Sequence, residues 1–181
     1  MNDMAETPCL AISLADLLAS RDARANRQQQ WLSEYNQPLI SATLVWPGEV
    51  KDSPLSRAVM QVAVDALSSL IATHRWEINK HEVRQLVTGP EAYWSITAPS
   101  LQLKSATVLL EDPHPLGRLW DLDVFSTELG LLSRASIQKE KRRCFICHEP
   151  AHACSRMRRQ SYQSLKEVME KITHDYFCSE K

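Results

Sequence analysis

The sequence predicts an α+β domain in which a mainly antiparallel or mixed sheet is packed by about three helices. Helical periodicity holds in the first third of the chain and at its end, and is lost between them. In that middle stretch short apolar and β-branched segments alternate with Pro- and Gly-containing turns. Helices and strands do not alternate one for one, which argues against a doubly wound parallel sheet. With 181 residues, 44% hydrophobic and 24% charged, the chain suits one domain over 1–181.

The first helix opens at Ser13, where Ser-x-x-Asp makes a capping box, and Leu14, Leu17, Leu18, Ala25 and Leu32 are spaced for one buried face. QPLISATLVWPG reads as a strand running into a turn at Pro47-Gly48. Asp52 or Ser53 then caps a second helix with Pro54 in its first turn and Leu55, Val59, Val62, Ala63, Ala66, Leu67 and Leu70 as its apolar stripe. Four strands are expected next, in EVRQLVTG, AYWSITA, LQLKSATVLL and GRLWDLDVF. The segment 134–160 lacks a period and is expected to be a basic, Cys/His-rich loop. A last helix is expected with Leu165, Val168, Met169, Ile172 and Tyr176 on one side.

The N-terminus is acidic where a signal peptide is basic, and no run of about 20 consecutive apolar residues occurs, so a cytoplasmic protein without a membrane partner is expected. Five cysteines without an export signal point to reduced thiols, with metal binding as the alternative to a disulfide framework. The net charge of −1 hides a polarity: residues 134–160 carry +6 and the remainder −7. Such a surface suits a phosphate-bearing ligand or an acidic macromolecule. Aromatic and basic residues are not interleaved as in a base-stacking surface, so no nucleic-acid partner is expected.

In RLWDLDVF a period of two puts Asp121 and Asp123 on one face of a strand, roughly 6.6 Å apart along the chain. From there two carboxylates can converge on Mg²⁺ and neutralise phosphate oxygens during an in-line attack. A wet strand face is the plainer account of the pair. Gly117 offers backbone freedom for close approach of a ligand, and Arg118 a planar donor for phosphate. Glu111 and Asp112, across an expected hairpin, offer a third carboxylate. His114, between two prolines, reads as an exposed turn residue before it reads as a base.

In RRCFICHEPAHACSRMRRQ, Cys144, Cys147, His152 and Cys154 make a candidate zinc site, set against a reduced packing cluster or a loop that binds a pantetheine-bearing substrate. Cys-x-x-Cys-His also matches c-type haem attachment, which the missing export signal argues against. The pairs Arg142-Arg143 and Arg158-Arg159 bracket a compact loop and suit anion binding, and Arg134 and Arg156 belong to the same basic segment. Arg21, Arg24 and Arg27 on the first helix are expected to form an exposed stripe without function.

RDARANRQQQ, QPLISATLVWPGEVKDSPLSRA, TGPEA, HPLGRLWDLDV, LSR and RRCFICHEPAHACSRMRRQ, in that order, resemble the citrate lyase holo-acyl-carrier-protein synthases. The resemblance runs from about Leu17 to the last helix. It implies transfer of the phosphoribosyl-dephospho-CoA group from 2'-(5''-triphosphoribosyl)-3'-dephospho-CoA to a serine of the apo citrate lyase acyl-carrier (gamma) subunit, releasing pyrophosphate. A functionally similar synthase, serving malonate decarboxylase, looks like a nucleotidyltransferase with an Asp-x-Asp metal site. By that analogy Asp121 and Asp123 hold Mg²⁺; from the residues themselves, Arg118 is expected to assist catalysis and Gly117, Arg134, Arg142, Arg143, Arg156, Arg158 and Arg159 to bind substrate. The nucleotidyltransferase pattern places its Gly-Ser or Gly-Gly about ten residues before the first aspartate, whereas Gly117 stands four before Asp121. The competing class is a zinc-stabilised adaptor that binds an acidic carrier protein without chemistry.

Overall fold

The computed structural model describes residues 10–179; the acidic N-terminal stretch, with Cys9, lies outside the described residues. The elements are α1 (Leu14–Tyr35), β1 (Leu39–Leu44), α2 (Pro54–His74), β2 (Glu77–Arg84), β3 (Glu91–Thr97), α3 (Ser100–Glu111), β4 (Trp120–Ser126), β5 (Gly130–Leu132), α4 (Ala151–Arg156) and α5 (Tyr162–Ser179). Short 3-10 turns cover Gly117–Leu119 and Arg134–Ile137. The strands form one sheet in the order β2-β3-β1-β4-β5, with every neighbouring pair antiparallel. The expected α+β class holds, with two more helices than expected.

Local chemistry sets the helix ends. Ser13 and Asp16 form the capping box of α1, and Asn36 closes that helix in the left-handed conformation. Ser53 caps α2, and Asp52 instead pairs with Arg57. By length and composition α2 alone among the described helices is apolar enough to cross a membrane. It is the core helix here: Val59, Met60, Ala63, Val64, Leu67 and Ile71 are buried against the sheet.

Two expectations about the middle of the chain are overturned. LQLKSATVLL is not a strand but most of α3: Leu101 and Leu109, which fed the alternating pattern, are exposed, while Leu103, Lys104, Thr107, Val108 and Glu111 face inward at helical spacing. The strand expected in EVRQLVTG begins earlier, at Glu77, and ends at Arg84. The segment expected to be loop contains the short helix α4 and a β-bridge between Arg143 and Pro150.

The two faces of the sheet differ in chemistry. Ile40, Ala42, Trp94, Ile96, Trp120, Leu122 and Val124 face α2 and Met169 of α5, and form the main core. The opposite face carries Leu39, Tyr93 and Phe125 under Trp31 of α1, and beside them Ser41, Asp121 and Asp123. The side of α1 that meets this face is not the expected leucine stripe. Leu14 and Leu18 are exposed, and Arg24, Arg27, Gln28 and Trp31 turn toward the sheet. Arg24 and Arg27 both pair with the buried Glu91 on β3, so the stripe expected to be idle ties α1 down.

Candidate active site

Asp121 and Asp123 sit in register with Thr43 and Ser41 of β1. Both are half-buried, because alternate residues of β4 face the core and the two aspartates do not. Among the described residues neither carboxylate has a hydrogen bond, or a salt bridge within 4.0 Å. Burial, and then the charge of Asp121, push the Asp123 carboxyl up to about 6, against which Lys104 and Arg24 pull weakly. Two adjoining carboxylates with no direct hydrogen-bond or salt-bridge partner are the oxygen donors of a hard divalent cation, so the pair fits magnesium.

The edge of β4 beside them is closed by side chains. β5 pairs only with Val124–Ser126, so the backbone of Leu122 and Trp120 has no strand neighbour on that side. Glu111 Oε1 accepts from the Leu122 N–H at 3.2 Å, Lys104 Nζ donates to the Leu122 carbonyl at 3.2 Å, and Arg142 donates to the Trp120 carbonyl at 2.6 Å. Glu111 in turn holds Arg134 at 2.9 Å and Arg142 at 2.8 Å. Glu111 is therefore an anchor for arginines and not a third metal ligand. Asp112 also engages Arg134, at 2.8 Å. The two acids stand at the end of α3, not across a hairpin.

Three cavities meet here. One of about 360 Å³ holds Asp121, Asp123, Lys104, Arg134, Arg142 and His152. A second, about 320 Å³, shares Glu111, Arg134, Lys141 and Arg142 with it and adds Arg118, Lys139 and Arg143. A third, about 740 Å³, shares Asp121, Arg142 and His152 with the first and is walled by Trp46, Phe145, Tyr162, Leu165 and Arg158. The three are neighbours, with Arg142 in the wall of each.

The structure places the remaining expected site residues unevenly. Arg118 lines neither cavity that holds Asp121 or Asp123 and donates to the carbonyls of Arg143 (3.0 Å) and Cys144 (2.5 Å), with its guanidinium 5.3 Å from the Phe145 ring centre. Gly117 is forced by packing: a Cβ there would lie 2.0 Å from the Glu111 carbonyl oxygen. Arg156 and Arg159 are exposed and line none of these three cavities. His114 is not an exposed turn residue. Its ring lies 4.2 Å from that of Trp120, its Nδ1 accepts from Leu116 N–H, and burial pulls its pKa down. The sequence reasoning missed Lys104, Trp46, Phe145 and Tyr162; Lys104 and Glu111 are seven apart, a same-face signal visible once their segment is taken as helix.

The thiols of Cys144, Cys147 and Cys154 converge, all within 4.8 Å of one another, and form a cluster that can hold a metal ion. His152 is not part of this group. Burial would raise the Cys144 thiol, but hydrogen bonds from the Ile146 and Cys147 N–H groups and from the other thiols bring it down to about 7; burial and its thiol neighbours push Cys154 up to about 11.

The family model described as apo-citrate lyase phosphoribosyl-dephospho-CoA transferase matches residues 12–176. Proteins bearing that name from Escherichia coli O6:K15:H31 (strain 536 / UPEC) and Shigella boydii serotype 18 (strain CDC 3083-94 / BS512) are each 41% identical over 165 residues, 91% of this chain and 90% of the relative. With nearly the whole length matched, through both the Asp-x-Asp strand and the Cys-rich loop, the chain belongs to the apo-citrate lyase phosphoribosyl-dephospho-CoA transferase family.

Proposed function

We propose that this protein transfers the phosphoribosyl-dephospho-CoA group from 2'-(5''-triphosphoribosyl)-3'-dephospho-CoA to a serine hydroxyl of the apo citrate lyase acyl-carrier subunit, with release of pyrophosphate. The observation that carries the reading is the carboxylate pair Asp121 and Asp123, without direct hydrogen-bond or salt-bridge partners, in a cavity that also holds Lys104, Arg134, Lys141 and Arg142 and shares Asp121 with the aromatic cavity. Mg²⁺ held by Asp121 and Asp123 would offset charge on the phosphate under attack.

The protein's own groups divide the rest of the work. Arg134 and Arg142 are fixed by Glu111 and present guanidinium donors in a set orientation, which suits charge that develops in the transition state. Lys139 and Lys141 are exposed, make no salt bridge among the described residues, and with Arg143 offer the leaving pyrophosphate a cationic seat. Trp46, Phe145 and Tyr162 give the adenine and pantetheine arm apolar walls. Arg118 acts from outside the reacting centre, by holding the loop that makes one of those walls.

The test is the intact mass of the apo acyl-carrier subunit after incubation with this protein, the triphosphate precursor and Mg²⁺. A gain equal to the phosphoribosyl-dephospho-CoA group is expected with wild type, and none with Asp121→Asn or with EDTA. No gain with wild type would favour an adaptor that binds the carrier without modifying it; a gain that survives Asp121→Asn would move the metal site elsewhere.

A further inference from the structure

The Cys-rich loop gathers three thiols on a short hairpin and the helix that follows it. Residues 142–151 fold into a hairpin in which Cys144 N–H donates to the Glu149 carbonyl and Ala151 N–H to the Arg142 carbonyl, both at 2.8 Å, with Arg143 bridged to Pro150. The third thiol, Cys154, comes from the short helix α4, where its N–H is held by the Pro150 carbonyl at 3.1 Å. The Cys147 and Cys154 sulfurs lie 3.4 Å apart. Two sulfurs from a Cys-x-x-Cys turn and one from a following helix give three thiolate donors for a tetrahedral ion.

Two further facts define the fourth position. Among the described residues no His, Asp or Glu joins the three thiols within 4.8 Å, and a site with only three protein ligands keeps one exchangeable place. Cys144 and Cys154 also line the aromatic cavity. On the reading above, that cavity takes the substrate's dephospho-CoA arm, whose far end is a thiol.

We propose that Cys144, Cys147 and Cys154 bind zinc as three thiolates, with the fourth position open to the aromatic cavity, where it accepts the thiol of the dephospho-CoA arm. The second part rests on the function proposed above. No electrons are exchanged: on binding, each thiol gives its proton to solvent and its sulfur lone pair to the metal, and the arm's sulfur replaces a water. The ion then fixes the wall of the cavity and marks its end.

Metal analysis of the purified protein, without substrate, tests the first part. About one zinc per chain is expected, reduced at least about tenfold in Cys147→Ser and unchanged in His152→Ala. Zinc-free wild type after purification with added zinc, or loss of zinc in His152→Ala, overturns the three-thiolate site. So does a Cys147–Cys154 disulfide found by thiol titration of the unfolded chain. For the second part the protein is reconstituted with Co²⁺, whose visible bands report its ligands, and titrated with dephospho-CoA. The bands should shift with dephospho-CoA and not with its S-methylated form; identical spectra in both titrations overturn the thiol contact. None of these readouts needs turnover, so a protein that binds metal and thiol yet transfers nothing would refute the transfer reading alone.

Discussion

Asp123 is a side chain that costs the fold stability. In the metal-free protein its carboxyl stands at about 6 against an ordinary 3.8. The folded state therefore holds the extra proton between those values: relative to a neutral side chain there, Asp123 costs nothing below about pH 4, and the cost grows as pH rises through about 6, to about 3 kcal/mol in full. Asp123→Asn should match wild type in urea unfolding at pH 4 in EDTA and exceed it at pH 8 by up to that amount, while transfer is abolished. A variant less stable than wild type at pH 8 would show that the carboxylate is structural. Gly117 is the reverse case, a residue whose demand is steric. Gly117→Ala should lower stability by about 3 kcal/mol, because the Glu111 carbonyl cannot yield as a flexible side chain would.

α3 is where local pattern and tertiary role part company. Its outward Leu101 and Leu109 mimic a strand's alternation, and its inward Lys104 and Glu111 are charged, so the apolar signal that marks a helix face is absent from the side that matters. The same holds for α1, whose sheet-facing Arg24, Arg27 and Gln28 read as solvent residues because the surface they cover is itself polar. α2 was readable as a helix from its apolar spacing, but its face was read slightly rotated: Val59, Ala63 and Leu67 are buried as expected, Leu55 is exposed, and Met60, Val64 and Ile71 are buried instead. The Asp-x-Asp strand was equally plain. Its surroundings were not, since Lys104, Glu111 and the aromatic wall are brought to it from distant segments. Glu111 is the keystone of that arrangement. Glu111→Gln should cost about 3 kcal/mol in thermal or urea unfolding, because it leaves Arg134 and Arg142, both largely buried, without their shared carboxylate.

Across the molecule the charge is sorted: the segment 134–160 carries +6, and its Arg134, Lys139, Lys141, Arg142, Arg143 and Arg158 line the cavities around the aspartates, while the excess acid lies in the rest of the chain. Lys139→Ala with Lys141→Ala should raise the KM for the triphosphate precursor about tenfold, steepen no further with salt, and leave unfolding within about 0.5 kcal/mol of wild type, since both side chains are exposed. An unchanged KM would take the leaving group out of that cavity. The sealed edge of β4 restricts how any other chain can come near. With the Leu122 N–H and C=O already satisfied by Glu111 and Lys104, and the Trp120 carbonyl by Arg142, an extended peptide finds no backbone partners beside the carboxylates and cannot add itself as a sixth strand there. A serine destined for this groove must therefore be offered by its side chain alone, from a tight bend or the end of a helix that projects far enough to enter.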